Sequence, residues 1–248
     1  MTYNTDTGKV DDDRIELAAG RIARSRYTVV STGAGISRES GIPTFRDLDG
    51  LWGKYRPEEL ATREGFIANP GLVWRWYRER LATARAHEPN PGHYALAELE
   101  RLLPRFLIVT QNIDNLHLRA GNKEVVELHG NISRYRCLEY SHPAEPSDEW
   151  GDEPPLCHCG SLIRPDVVWF GESLHEIELE CAFRETQKCD LMLVVGTSGL
   201  VQPAANLPVL AKQVGAVVIE VNPSRSELTP LADIFLMGPA GEILPRLL

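Results

Sequence analysis

The stretch "WYRER", Trp76 to Arg80, has the residue types for acid recognition. In a helix, Tyr77 and Arg80 stand three apart and share one face, so a phenol hydroxyl and a guanidinium would converge on one small acid. The competing reading is an amphipathic helix whose Trp74, Tyr77 and Leu81 pack inward while its arginines face water, and spacing alone favours it. Other reactive types stand at the ends of apolar runs. After "RFLIVT" comes "QNIDNLH", where Asn112 and Asp114 are suited either to bind an amide and a hydroxyl or to cap the next helix. After "EVVEL" comes His129, a candidate base because imidazole titrates near neutrality, although a lone histidine is more often structural.

Glycines and small polar residues occupy three further run ends. "YTVVST" leads into "GAGIS", whose glycines let the backbone approach a ligand and whose following helix start would offer N–H groups to phosphate. It is not the dinucleotide fingerprint, because the position three after Gly35 holds Arg38. "LMLVVGT" is followed by Ser198, and "VVIEV" by Asn222, Pro223 and Ser224. Such groups suit a ribose or phosphate pocket and are equally ordinary turn formers. Five polar strand ends in one sheet weigh more than any one of them.

The elements that would position these residues are short apolar runs, "YTVVST", "RFLIVT", "DLMLVVGT", "AVVIEVN" and "DIFLM", which read as buried strands. Helical patterns alternate with them, in "GHYALAELERLL", "HEIELECAFRETQK" and "QPAANLPVLAKQV". This alternation predicts an α/β fold, a mostly parallel Rossmann-like sheet with helices on both faces, whose ligands bind beyond the carboxyl ends of the strands. The sheet draws on 12–46, 101–131 and 167–248. Two segments interrupt it: 47–100, rich in Arg, Trp and Pro, and 132–166, with Pro143, Pro146, Pro154 and Pro155 and three of the five cysteines. Their composition predicts a smaller lobe and a ligand cleft between lobes. Residues 1–11 are expected to form a disordered tail.

The 248 residues carry a formal net charge of −9, which argues against nucleic acid as an obligatory partner and towards a basic substrate. No apolar run approaches the roughly 20 residues of a membrane span, and "MTYNTDTGKVDDDR" lacks a signal peptide's apolar stretch. A cytoplasmic protein without a membrane partner is expected. Five cysteines, an odd number, suggest thiols or metal ligands rather than disulfides. Cys181 and Cys189 sit in periodic apolar segments and read as packing residues.

In this order, "GAGIS", "GIPTFR", "TQNID", "LHG", "VVWFGE", "GTS" and "VNPS" closely resemble the sirtuins, the NAD-dependent protein lysine deacylases, from about residue 15 to the end. The resemblance implies a Rossmann-like NAD-binding domain and a small lobe made of a helical module and a zinc-ribbon-like module. It makes 47–100 the cofactor loop and helical module, and 132–166 the zinc module. Gly33, Ala34 and Gly35 match the NAD phosphate turn, while Phe45 and Arg46 belong to the loop covering the cofactor. Gln111, Asn112, Ile113 and Asp114 match residues around the nicotinamide ribose and carboxamide. Gly196, Thr197 and Ser198, with Asn222, Pro223 and Ser224, match the ribose and adenine side, and Ala240 lies near the adenine.

The chemistry implied joins an acyl-lysine of a protein or peptide to NAD. The acyl oxygen attacks the anomeric carbon as nicotinamide leaves, and His129, with Asn112 and Asp114, then serves transfer of the acyl group to the 2′-hydroxyl. Val168, Trp169, Phe170 and Gly171, in "VVWFGE", resemble the strand that pairs with substrate backbone. In the branch that removes acidic acyl groups, a Tyr and an Arg at the spacing of Tyr77 and Arg80 bind the distal carboxylate, and a small residue matching Ala61 leaves room for the chain. The resemblance therefore implies a desuccinylase or demalonylase that accepts acetyl-lysine slowly. A plain deacetylase, a protein ADP-ribosyltransferase and a non-catalytic NAD- or ADP-ribose-binding module are the alternatives.

One departure concerns the metal. The family's module has two C-x-x-C pairs, but "CLEYSH" keeps Cys137 and puts Tyr140 where its partner belongs, and "LCHCG" has Cys157 and Cys159 in a C-x-C. Three thiolates with His142, or with His158, would still make a structural zinc site. A module without metal, packed around Trp150 and the prolines, is the other possibility.

Overall fold

The computed structural model of the protein describes residues 12–43, 56–147 and 150–248. The expected tail 1–11 and the cofactor-loop residues Phe45 and Arg46 lie outside the described residues. The helices are α1 (Asp12–Ala23), α2 (Pro57–Leu60), α3 (Arg63–Ala68), α4 (Pro70–Ala86), α5 (Pro91–Leu102), α6 (Leu116–Ala120), α7 (Glu176–Thr186), α8 (Leu207–Gln213) and α9 (Ala240–Ile243). The strands are β1 (Thr28–Thr32), β2 (Phe106–Thr110), β3 (Val125–Glu127), β4 (Gly130–Cys137), β5 (Pro143–Ala144), β6 (Ile163–Val167), β7 (Leu191–Val195), β8 (Val217–Asn222) and β9 (Ile234–Met237).

Six strands form a parallel sheet in the order β3-β2-β1-β7-β8-β9. Every residue of β1, β2 and β7 is buried, because apolar side chains point to both faces and both faces are covered. On one face Val30, Ile108, Leu193 and Ile219 meet Ile22 of α1, Leu96 of α5 and Ile243 of α9. On the other Val29, Leu107, Met192 and Val218 meet Ala182 of α7 and Leu207 of α8. The chain builds outward from β1 through β2 to β3, then returns to the other side of β1 for β7, β8 and β9. That reversal places a crevice beyond the carboxyl ends of β1 and β7.

The small lobe has its own core. Helices α2 to α4 pack Leu60, Phe66, Trp74 and Leu81 against Tyr135 of β4, Ile163 of β6 and Trp169. Strands β5, β4 and β6 form an antiparallel sheet. Helix α5, which begins within the interrupting segment 47–100 and runs past its end, instead packs Ala95, Leu96 and Leu99 on the main sheet.

Two local expectations are corrected. The turn after β1 continues as a 3₁₀ helix, Ala34–Ser40, rather than an α-helix start. The strand expected over Val168 to Gly171 ends at Val167. Gly171 has a φ of +87°, and the N–H groups of Val168 and Phe170 are drawn aside to the carbonyls of His129 and Ala61, both at 2.9 Å. An extended run cannot continue through a left-handed residue.

Candidate active site

At the switch point two glycine turns interlock. A Cβ on Gly35 would lie 2.6 Å from the Gly196 carbonyl oxygen, and one on Gly196, whose φ is +60°, would lie 2.4 Å from the Ile36 nitrogen. Only glycine permits that approach. The Gly33 and Gly35 amides donate to the Val195 and Gly196 carbonyls, tying the turn after β1 to the end of β7. Ala34, in the same turn, lines the cavity described below.

Next to this turn, beyond β2, Asn112 and Asp114 are joined through Ser37. The Asn112 carboxamide donates both hydrogens, to the Gly33 carbonyl at 3.1 Å and to Ser37 Oγ at 3.2 Å. Its carbonyl oxygen is thus the group it can offer a ligand. Ser37 Oγ donates to Asp114 Oδ2 at 2.7 Å, and Asp114 Oδ1 accepts from the Leu116 amide at 3.0 Å. Asp114, one residue before the N-cap Asn115, thus takes up the first amide of α6 while it anchors the site through Ser37. Burial pushes its pKa up, against the pull of those two donors and of Arg80. Ser37 escaped the sequence reading, although it stands inside "GAGIS".

His129 follows β3 and faces the same cavity. Its Nδ1 lies 2.9 Å from the Gln111 carbonyl oxygen. A carbonyl can only accept, so Nδ1 carries the proton and Nε2 keeps a lone pair. Burial lowers its pKa, opposed by the same carbonyl, and a neutral imidazole with a bare Nε2 is in the form a general base requires. Two further buried histidines, His93 and His117, are also pushed down by burial, His93 to about 4 and His117 well below its ordinary value. The unfolded chain binds these three protons below about pH 6.5 and the fold does not. Unfolding midpoints should accordingly be flat above pH 7 and fall as the pH drops from 6.5 towards 4, at up to about 1.4 kcal/mol per pH unit for each group. A midpoint constant over that window would contradict this.

The cavity has a volume of about 400 Å³ and runs between the two lobes. Tyr77 and Arg80 of α4 line it together with Ala61, Val168, Trp169 and Phe170. The amphipathic reading also holds, since Trp74, Tyr77 and Leu81 are all buried. The Trp169 indole donates to the Tyr77 hydroxyl at 2.9 Å. Tyr77 thereby spends a lone pair and keeps its own proton to give, and burial pushes its pKa up to about 12. The Arg80 guanidinium lies 4.7 Å from the centroid of the Trp76 ring, and burial lowers its pKa while Tyr77 and Asp114 oppose that.

Arg164, almost wholly buried, braces Trp169. It lies 3.2 Å over the Trp169 ring and ion-pairs Glu172 through both terminal nitrogens. Glu172 accepts from the Trp169 amide at 2.8 Å. Neither residue was legible beforehand: Glu172 is hidden in "VVWFGE", and a lone Arg164 carried no signal at all.

Beyond the cavity, Gln111 donates to Thr197 Oγ1 at 3.3 Å, and Asn222 to the Thr197 carbonyl at 2.8 Å. Ser198 Oγ accepts from the Leu200 amide at 3.4 Å. Pro223 and Ser224 are exposed at the carboxyl end of β8. Ala240 opens α9, whose Gly241 amide bonds Glu39 of the 3₁₀ helix at 2.7 Å. Gly196 to Ser198, Asn222 to Ser224 and Ala240 thus follow three successive strands at one end of the sheet, and Ile113 joins the small-lobe core.

In the small lobe, ligand atoms of Cys137, His142, Cys157 and Cys159 all lie within 4.8 Å of one another. Cys137 and Cys159 sulfurs are 3.5 Å apart, as are Cys157 Sγ and His142 Nδ1. Zinc at about 2.3 Å from each thiolate would space tetrahedral sulfurs by roughly 3.8 Å, so three thiolates and one imidazole fit one structural zinc. The imidazole is that of His142, and His158 stacks on it at 4.5 Å. The packing offered by the metal-free reading is present too, with Trp150 edge-on to Trp74 and Tyr135. Elemental analysis should find one zinc per chain, and chelation should lower the melting temperature by roughly 10 °C, about 3 kcal/mol in a chain this size. An unchanged melt and no zinc would overturn the site.

A switch-point crevice with interlocked glycine turns, a neutral base beside it, and a cavity closed by a metal-bearing lobe define an enzyme that brings a nucleotide to an acyl-sized pocket. The Sir2 family model matches residues 33–203. An NAD-dependent protein deacylase from Pyrococcus abyssi is 53% identical over 232 residues, covering 91% of this chain and 93% of the relative. A solved Sir2 homologue–NAD complex superimposes with a TM-score of 0.88 at 47% identity, covering 94% of this chain and 91% of that one. A Sir2 protein bound to a myristoylated histone peptide gives 0.78 at 40% identity, covering 96% and 95%. The chain belongs to the Sir2 family of NAD-dependent protein deacylases. The residues present fit NAD, since the glycine turns allow close backbone approach and the Asn112 carboxamide, with both hydrogens spent within the protein, keeps its carbonyl oxygen to offer. Among the described residues no helix is long and apolar enough to cross a membrane.

Proposed function

We propose that this deacylase acts on peptide lysines carrying short acidic acyl groups, succinyl, malonyl or glutaryl, and that Tyr77 and Arg80 recognise the distal carboxylate. The observation that carries this reading is the Tyr77 hydroxyl, held by the Trp169 indole at 2.9 Å on the wall it shares with Arg80. Tyr77 supplies one donor and the planar Arg80 fork two, the set a carboxylate accepts best. Ala61 leaves the wall low. A neutral short acyl group has no distal carboxylate to accept from Tyr77 and Arg80, so it gains nothing from these donors and reacts more slowly.

NAD supplies a ribose with a leaving group at its anomeric carbon and hydroxyls that take up the acyl group. Gly33, Ala34 and Gly35 hold its phosphates, and Gln111, Asn112, Ile113 and Asp114 orient its nicotinamide end. Gly196, Thr197 and Ser198, with Asn222, Pro223, Ser224 and Ala240, take the adenosine. Phe45 and Arg46 are proposed to cover the cofactor. His129 Nε2 accepts the proton of the ribose hydroxyl that attacks, and its Nδ1–H bond to Gln111 keeps the ring oriented as the proton arrives. Val168, Trp169, Phe170 and Gly171 form the edge along which the peptide backbone lies, so sequence selectivity is loose.

The test is product analysis by mass spectrometry on one peptide bearing succinyl-, acetyl- or myristoyl-lysine. The expected products are nicotinamide, O-succinyl-ADP-ribose and free lysine in equal amounts. The myristoyl peptide is included because a relative of this chain binds one. Faster turnover of acetyl or myristoyl peptide would sink the acidic preference, and label retained on protein would point to ADP-ribosyl transfer.

A further inference from the structure

Behind Asn112, on the side away from the cavity, lies a buried polar chain. The Asn112 amide donates to Thr110 Oγ1 at 3.0 Å, and Thr32 Oγ1 donates to the same oxygen at 2.8 Å. With its proton spent there, Thr32 Oγ1 faces His117 Nε2 at 2.9 Å as an acceptor. His117 must then carry its proton on Nε2, leaving Nδ1 as a bare lone pair. The His93 ring lies 5.0 Å from that of His117. His93 Nδ1 accepts from the Asn90 amide at 3.3 Å in the capping box of α5, so its proton is also on Nε2. What remains is a donor on His93 and an acceptor on His117, both buried and neither hydrogen-bonded, to the other or to any group among the described residues.

We propose that His117 is a positioning residue for Asn112, acting through Thr32 and Thr110. This rests on the role proposed above for Asn112. The two threonines stand side by side in register at the ends of β1 and β2, so a relay between them fixes the level at which the chain leaves β2. The same N-terminus of α5 reaches the site by a second route. Asn90 Nδ2 donates to the Ile36 carbonyl at 2.7 Å and to Ser40 Oγ at 3.0 Å, holding the 3₁₀ helix that carries Ser37. The Asn112 backbone and its Ser37 partner are therefore both referred to one buried helix end. Because burial keeps both imidazoles neutral, the direction of each bond is set and does not change near neutral pH.

The first test is the ¹⁵N spectrum of the wild-type protein at neutral pH, where His93 and His117 should both appear as neutral Nε2–H tautomers. Proton occupancy of His117 Nδ1, alone or with Nε2, would overturn the relay. The second is kinetic. His117→Phe should lower kcat/KM by roughly 10- to 100-fold, and His117→Gln, whose side-chain N–H falls near the position of Nε2, should restore most of it. In an Asn112→Ala background the His117→Phe loss should shrink to within a few-fold. Equal losses in Phe and Gln, or a loss undiminished in the Asn112→Ala background, would overturn positioning through Asn112. Full activity of Asn112→Ala alone would instead reject the role of Asn112 itself.

Discussion

Arg80→Met should reduce kcat/KM for a succinyl-lysine peptide by about 10² to 10⁴-fold while leaving acetyl-lysine turnover unchanged or raised. Two charge-assisted hydrogen bonds are lost, at roughly 1.5–3 kcal/mol each, and every 1.4 kcal/mol is tenfold in rate. Methionine conserves length and apolar volume, so α4, which is anchored by the buried Trp74, Trp76 and Leu81, should keep its place. The acetyl rate serves as an internal control: an acetyl group has no distal carboxylate to lose, and an uncharged wall no longer disfavours it. Tyr77→Phe should show the same pattern with a smaller loss, because it removes one neutral donor and leaves the Trp169 indole without its acceptor. A parallel fall on both peptides would mean that the wall is merely structural.

The second large effect is expected at His129. His129→Ala should lower kcat by about 10² to 10⁴-fold, the range general base catalysis supplies, with little change in peptide binding. The wild-type rate should also have an acid limb. Neutral His129 is the active form, so activity rises with pH through its pKa, and burial places that midpoint below the ordinary 6.5 of histidine. Loss of the limb in the variant's residual activity would tie it to this side chain. An acid limb that survives His129→Ala unchanged would assign the base elsewhere.

Much of this could be read from residue order because buried parallel strands are written as continuous apolar runs. All five runs named as strands became strands, and the polar residues after them came to one end of the sheet. The "WYRER" spacing was legible only as a helix face. Its meaning depends on Trp169, 92 positions further on, whose indole turns the Tyr77 hydroxyl into a donor. Local periodicity holds no record of such a contact. "VVWFGE", which resembles a substrate-pairing strand, leaves the strand after Val167 for a similar reason: Gly171 and the carbonyls of His129 and Ala61 draw it away. Ser37 and the His93–His117 pair were also missed, since each matters through partners brought in by strand pairing and helix packing. The metal ligands lay between these extremes. Three cysteines were plain in the sequence, but only the fold chooses His142 over His158 for the fourth position.

The central claim is that an NAD-dependent Sir2 deacylase has had its acyl cavity turned to acids by one tyrosine and one arginine. Competition tests it most directly: one peptide, half succinylated and half acetylated, incubated with the wild-type enzyme and NAD, and followed by mass spectrometry. The expected result is that the succinyl form disappears first, with O-succinyl-ADP-ribose accumulating at least tenfold faster than the acetyl product. Consumption of the acetyl form first would contradict the claim and make Tyr77 and Arg80 the packed face of a helix in a plain deacetylase.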